Sequence, residues 1–89
     1  MYLHLGRGTV VRSATVVGVF DLDTASIAAR TREFLRRAEE AGQVVSVSDE
    51  IPKSFVVCRE RGRTTVYLSQ LAPTTLQKRG GQALSLRGE

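Results

Sequence analysis

A chain of 89 residues with one cysteine and one histidine has no covalent or metal staple to hold a small fold together. A domain of this length buries only roughly 60–65% of its unfolded surface, which leaves a single core marginal. Small domains in this position add disulfides, a structural metal or partner subunits. Cys58 has no second cysteine to pair with, and Cys58 with His4 is too small a set for zinc. No cofactor is expected. Self-association is the remaining device, so the small core is one of two grounds for expecting a homo-oligomer.

The hydrophobic pattern gives a single αβ domain over residues 1–79. Tyr2 to Leu5 and Thr9-Val10-Val11 are extended, with Gly6-Arg7-Gly8 permitting a tight turn between them. After a polar break at residues 12–15, Val16-Val17-Gly18-Val19-Phe20 reads as a β-branched strand buried on both faces. Gly18 inside it predicts a bulge or a close approach. Asp21 to Thr24 supplies capping chemistry, and a long helix is predicted over about residues 25–41. Ile27, Thr31, Phe34, Leu35, Ala38 and Ala41 form its apolar stripe, and Gly42 is its C-cap. The pairs Glu33–Arg37 and Arg36–Glu40 neutralise much of the opposite face, so the helix reads as a packing element.

Val44-Val45-Ser46-Val47 is the next strand. Residues 54–59 and 64–69 form two more, joined across Glu60-Arg61-Gly62-Arg63 as a hairpin. Pro73 opens a short helix that ends at Gly80-Gly81. Residues 80–89 are small and polar and are expected to form a disordered tail. The fold class is therefore α+β. The expected architecture is a small mixed sheet of about five strands, one long covering helix and a short C-terminal helix, in the order β-β-α-β-β-β-α. Such a sheet leaves an edge or a face open, and symmetric assembly is a common cover.

No catalytic constellation emerges. Asp21 and Asp23 suit helix capping better than acid–base work, His4 has no acid or nucleophile near it in sequence, and Cys58 lies in an apolar run. Gly6-Arg7-Gly8 lacks the spacing and the Lys-Ser/Thr of a phosphate loop. An enzyme is not expected, nor is a small-molecule substrate. Residues 1–6 are too short for a signal-peptide core, no apolar run approaches the about 20 residues of a membrane span, and the lone cysteine suits a reducing compartment. The expected location is the cytoplasm.

Net charge is +4, and all but Lys53 and Lys78 of the 13 basic residues are arginine. A basic excess favours an acidic partner, of which nucleic acid is the commonest. Arg7, Arg12, Lys53, Arg61 and Arg63 fall in loops and turns, where side chains reach phosphates. They are the candidate DNA-binding residues. Lys78 and Arg79 close the short helix and serve either a subunit interface or DNA. No aromatic residue interleaves with these positions, which favours duplex backbone over stacked single strands. Repetition by symmetry would turn a modest basic loop into a large positive surface.

Four segments carry a family likeness: Met1-Tyr2-Leu3-His4-Leu5-Gly6, Val16-Val17-Gly18-Val19-Phe20-Asp21, Pro52-Lys53-Ser54-Phe55-Val56-Val57, and Tyr67-Leu68-Ser69-Gln70-Leu71 with Thr75-Leu76-Gln77-Lys78-Arg79. In this order they resemble the RemA/RemB extracellular-matrix regulator family, and its RemB branch in particular. The resemblance covers residues 1–79. It implies a small αβ subunit and, in the RemA branch, a ring-shaped homo-oligomer that binds double-stranded DNA and activates matrix-biosynthesis genes. There, arginines in the loop after the first strands and in the loop before the valine-rich strand carry DNA binding. Residues 12–15 and 48–53 match those loops. The second reads Ser48-Asp49-Glu50-Ile51-Pro52-Lys53, with two acids and one lysine, so only Arg12 and Lys53 match as basic positions. Lys78 and Arg79 belong to the RemB branch's own motif. The sequence therefore points to a DNA-binding transcriptional regulator of biofilm genes acting as a homo-oligomer. The alternative is an oligomeric interaction or structural protein without a nucleic-acid role, consistent with the acids in the second loop.

Overall fold

The computed structural model describes residues 1–22 and 29–80. Strands β1 (Tyr2–Gly6) and β2 (Thr9–Arg12) form an antiparallel hairpin, and a 3-10 turn over Ser13–Thr15 leads into β3 (Val16–Asp21). Helix α1 (Ala29–Glu40) is followed by β4 (Val44–Ser46), the hairpin of β5 (Ser54–Glu60) and β6 (Arg63–Ser69), and helix α2 (Pro73–Gly80). The fold class is α+β, as the hydrophobic pattern predicts. The strands distribute differently from a single sheet of about five: the described residues hold six, in two sheets. β1 and β2 pair only with each other, while the other four form a mixed sheet in the order β3-β5-β6-β4, with β4 parallel to β6.

The period-2 alternation of β5, the sheet's most buried strand, divides the core into two layers. Val56 and Cys58 face one side, where Leu3, Leu5, Val11, Val19 and Leu76 complete a cluster under the β1–β2 hairpin and α2. Phe55 packs on the other side with Ala38 and Val66, with Leu35, Val44 and Val57 around them, under α1. The hairpin is thus a separate layer laid on the sheet. A buried serine fastens this layer: Ser69 Oγ donates to the carbonyl of Leu5 at 2.8 Å and accepts from the amide of Leu71. Ser54 Oγ donates to the carbonyl of Leu71, tying β5 to the chain that leaves β6.

The reading of β3 as buried on both faces is corrected by the topology. β3 is an edge strand in which only Val19 is buried; Val17 is 64% exposed and Phe20 40%. Its valines and phenylalanine alternate between the core and an open flank. The bulge predicted from Gly18 is present as a register shift between Val16 and Gly18 against β5. A Cβ at Gly18 would lie 2.6 Å from the Phe20 ring, which stacks on Phe55 with centroids 5.0 Å apart.

Helix α1 ends in a Schellman closure, with the Gln43 amide bonded to the Ala38 carbonyl and the Gly42 amide to that of Glu39. Gly42 takes the left-handed conformation (φ +72°) that the predicted cap requires. The predicted start of the helix at residue 25, its capping residues Asp23 and Thr24, and Ile27 lie outside the described residues. Gly80 closes α2, and residues 81–89 of the expected tail lie outside them too.

Candidate nucleic-acid interface

The basic positions sort into two poles by the direction of the strands that carry them. β5 runs from Ser54 to Glu60, seven residues or about 20 Å of extended chain. Lys53 stands at its start. Its backbone amide bonds to Ser69 and its carbonyl to the Leu22 amide, leaving the ammonium exposed. Arg61 and Arg63 stand at the other end, in the turn to β6. The β1–β2 hairpin lies alongside with its turn at the Lys53 pole, because Arg7 Nη2 meets Glu50 Oε2 at 2.7 Å. Its open end lies at the other pole, where Arg12 pairs with Glu60.

Arg12, Arg61 and Arg63 are therefore brought together, although Arg12 is remote from the other two in sequence. They surround one cleft of about 870 Å³, with Thr15, Thr65 and Tyr67 among its other walls. Arg59, on the adjoining stretch of β5, donates to Thr64 Oγ1. Arg7 and Lys53 form the second pole. Arg12 and Lys53, the two basic positions that the resemblance matches, stand at opposite ends of the sheet within one subunit. Lys78 and Arg79 lie on α2, and Arg79 Nη1 approaches the carbonyl of His4 at 3.5 Å. α2 is held against β1, with Leu76 buried beside Leu3 and Leu5, rather than at either pole.

Local geometry presents the turn arginines outward. Both two-residue turns read Arg-Gly with consecutive positive φ: Arg7 (47°) with Gly8 (82°), and Arg61 (54°) with Gly62 (78°). This is the type I′ geometry that matches strand twist. Arginine is an unusual first residue there, because left-handed backbone suits Gly, Asn and Asp. The hairpin signal in the sequence located the second turn; the pairing of Arg7 and Arg12 with acids was not readable, because Glu50 and Glu60 are 43 and 48 residues away. These pairs are exposed and compensate charge more than they stabilise the fold.

No group of three His, Cys, Asp or Glu among the described residues could hold a metal, and no described helix is long and apolar enough to cross a membrane. Burial pushes the Cys58 thiol above its ordinary pKa, against a hydrogen bond with Thr15 that works in the other direction. Burial, followed by the nearby Cys58 charge, likewise raises the Tyr67 phenol. A thiol held protonated is a poor nucleophile.

The family model described as "RemA-like: Extracellular matrix regulatory protein A-like" matches residues 2–79. Among characterised proteins, the chain is 37% identical over 79 residues to the "Extracellular matrix regulatory protein B" of Bacillus subtilis, covering 89% of each chain.

Proposed function

The chain belongs to the RemA-like family, and from that premise we propose that it is a DNA-binding transcriptional regulator of extracellular-matrix genes acting as a homo-oligomer. The observation that carries the reading is the convergence of Arg12, Arg61 and Arg63 at one end of the sheet, on a hairpin tip and a strand end where they can reach duplex phosphates. Arg7 and Lys53 at the opposite pole supply a second contact line, from the same subunit or a neighbour. The mechanism is neutralisation of phosphates by arginines repeated through the assembly, with sequence preference arising from DNA shape and deformability.

Self-association is supported by the open flanks. Among the described residues neither β3 nor β4 has a strand on its outer side. Val17, Phe20 and Phe34 leave an apolar groove beside the β3 edge, and Val45 is exposed on β4. Exposed edges with apolar side chains are surfaces that proteins cover by assembly.

The test is a DNA titration with the double variant Arg61→Ala/Arg63→Ala. Each lost phosphate contact lowers the slope of log affinity against log salt by about 0.9. The double variant is expected to lose about 2 from that slope for every subunit touching the duplex, with its assembly size unchanged. The rival reading, an interaction or structural oligomer, is favoured by the Arg7–Glu50 and Arg12–Glu60 pairs, which partly compensate two of the candidate cations. It predicts no such change.

A further inference from the structure

The cleft framed by Arg12, Arg61 and Arg63 has a shape that duplex contact does not explain. Phosphates of a double helix meet the tips of side chains, whereas this concavity runs inward between β2 and the β5–β6 hairpin to Cys58 and Tyr67 on the sheet. Its volume of about 870 Å³ lies within the roughly 300–1,000 Å³ of small-molecule sites.

The lining includes three arginines and the hydroxyl-bearing Thr15, Thr65 and Tyr67, with the Tyr67 ring and the valines of β2 as its apolar part. Glu60 is the one acid among the lining residues, and it is paired with Arg12. The lining therefore carries a net positive charge.

We propose that this cleft binds a small phosphorylated molecule of nucleotide size. Its phosphates meet the guanidiniums, displacing Glu60 from Arg12, and its ring lies against Tyr67. Guanidinium forks suit the bidentate recognition of phosphate oxygens. The apolar wall distinguishes a nucleotide from a bare phosphate. The site does not depend on the DNA reading, because a ligand held in the cleft is bound whether or not the tips touch a duplex. If both hold, the two draw on the same arginines and compete.

The experiment is isothermal titration of the full chain, without DNA, with ATP, GTP, CTP and UTP, and with inorganic pyrophosphate and adenosine as partial probes. At least one nucleoside triphosphate is expected to bind ten times more tightly than pyrophosphate. Thr65→Val/Tyr67→Phe, which removes two hydroxyls while keeping side-chain shape, is expected to weaken that binding at least threefold. Lys53→Ala, at the opposite pole, leaves nucleotide binding unaltered. No heat with any of the four nucleotides, or equal affinity for pyrophosphate, overturns the proposal. So does binding that the cleft variant leaves intact while its circular dichroism and melting remain those of the parent.

Discussion

Gly6 shows how a single backbone position holds two layers together. It sits at φ +113°, outside the conformations that side chains ordinarily adopt, and a Cβ there would lie 2.9 Å from the side-chain amide of Gln70. Gln70 follows Ser69, whose hydroxyl holds the Leu5 carbonyl, so the residue before Gly6 and the end of β6 are packed as one unit. Gly6→Ala is expected to destabilise the chain by about 1–3 kcal/mol, the scale of a forced backbone strain, measured by urea unfolding. Ser69→Ala strands a buried carbonyl and is expected to cost about 1–3 kcal/mol. The sequence showed Gly6 as a turn residue but not Ser69 or Ser54 as fasteners. A serine closing a strand reads as a polar boundary until the partner carbonyl, 64 residues away for Ser69, is in view. Cys58 was legible as a core thiol from its apolar run. With 5% exposure and a raised pKa, it is expected to react with a thiol reagent at neutral pH far more slowly in the native protein than in denaturant.

Elements differ in how much of their form is local. Helix α1 carries its own pattern: an apolar stripe, a glycine cap, and Glu33 bridging Arg36 and Arg37. Those arginines, Arg36 first, hold the Glu33 carboxyl below its ordinary pKa. The stability contributed by this depressed pKa is present above the ordinary carboxylate range and is lost as pH falls through the lowered folded value. β3 was misread because a run such as Val-Val-Gly-Val-Phe looks the same in a central strand and in an edge strand with an apolar flank. Only the pairing order distinguishes them. The β5–β6 turn was legible from Arg61-Gly62, yet arginine pays a conformational penalty there. Arg61→Asn is therefore expected to raise stability by about 0.5–1 kcal/mol while lowering DNA affinity. A turn kept for structure alone would lose nothing by the exchange.

For the whole molecule, the candidate site was legible as residue types and not as an arrangement. Loop position singled out Arg7, Arg12, Lys53, Arg61 and Arg63, but that Arg7 joins Lys53 and Arg12 joins Arg61 and Arg63 follows from the hairpin lying along β5, a tertiary fact. The same arrangement sets Glu60 beside Arg12 at the cleft. Glu60→Gln is accordingly expected to strengthen DNA binding several-fold, since it frees a guanidinium and removes a negative charge facing phosphates. Its effect on stability is expected to stay within about 1 kcal/mol. In the proposed assembly each of these effects is multiplied by the number of subunits on the duplex. The most direct measurement is fluorescence anisotropy of a labelled duplex titrated with the chain and with Arg61→Ala/Arg63→Ala, at several salt concentrations, with the assembly mass of each determined by light scattering. The account predicts an oligomer of the same mass for both, a steep salt dependence for the parent and a shallower one for the variant. Equal slopes at equal mass, or no binding by the parent at low salt, would contradict it.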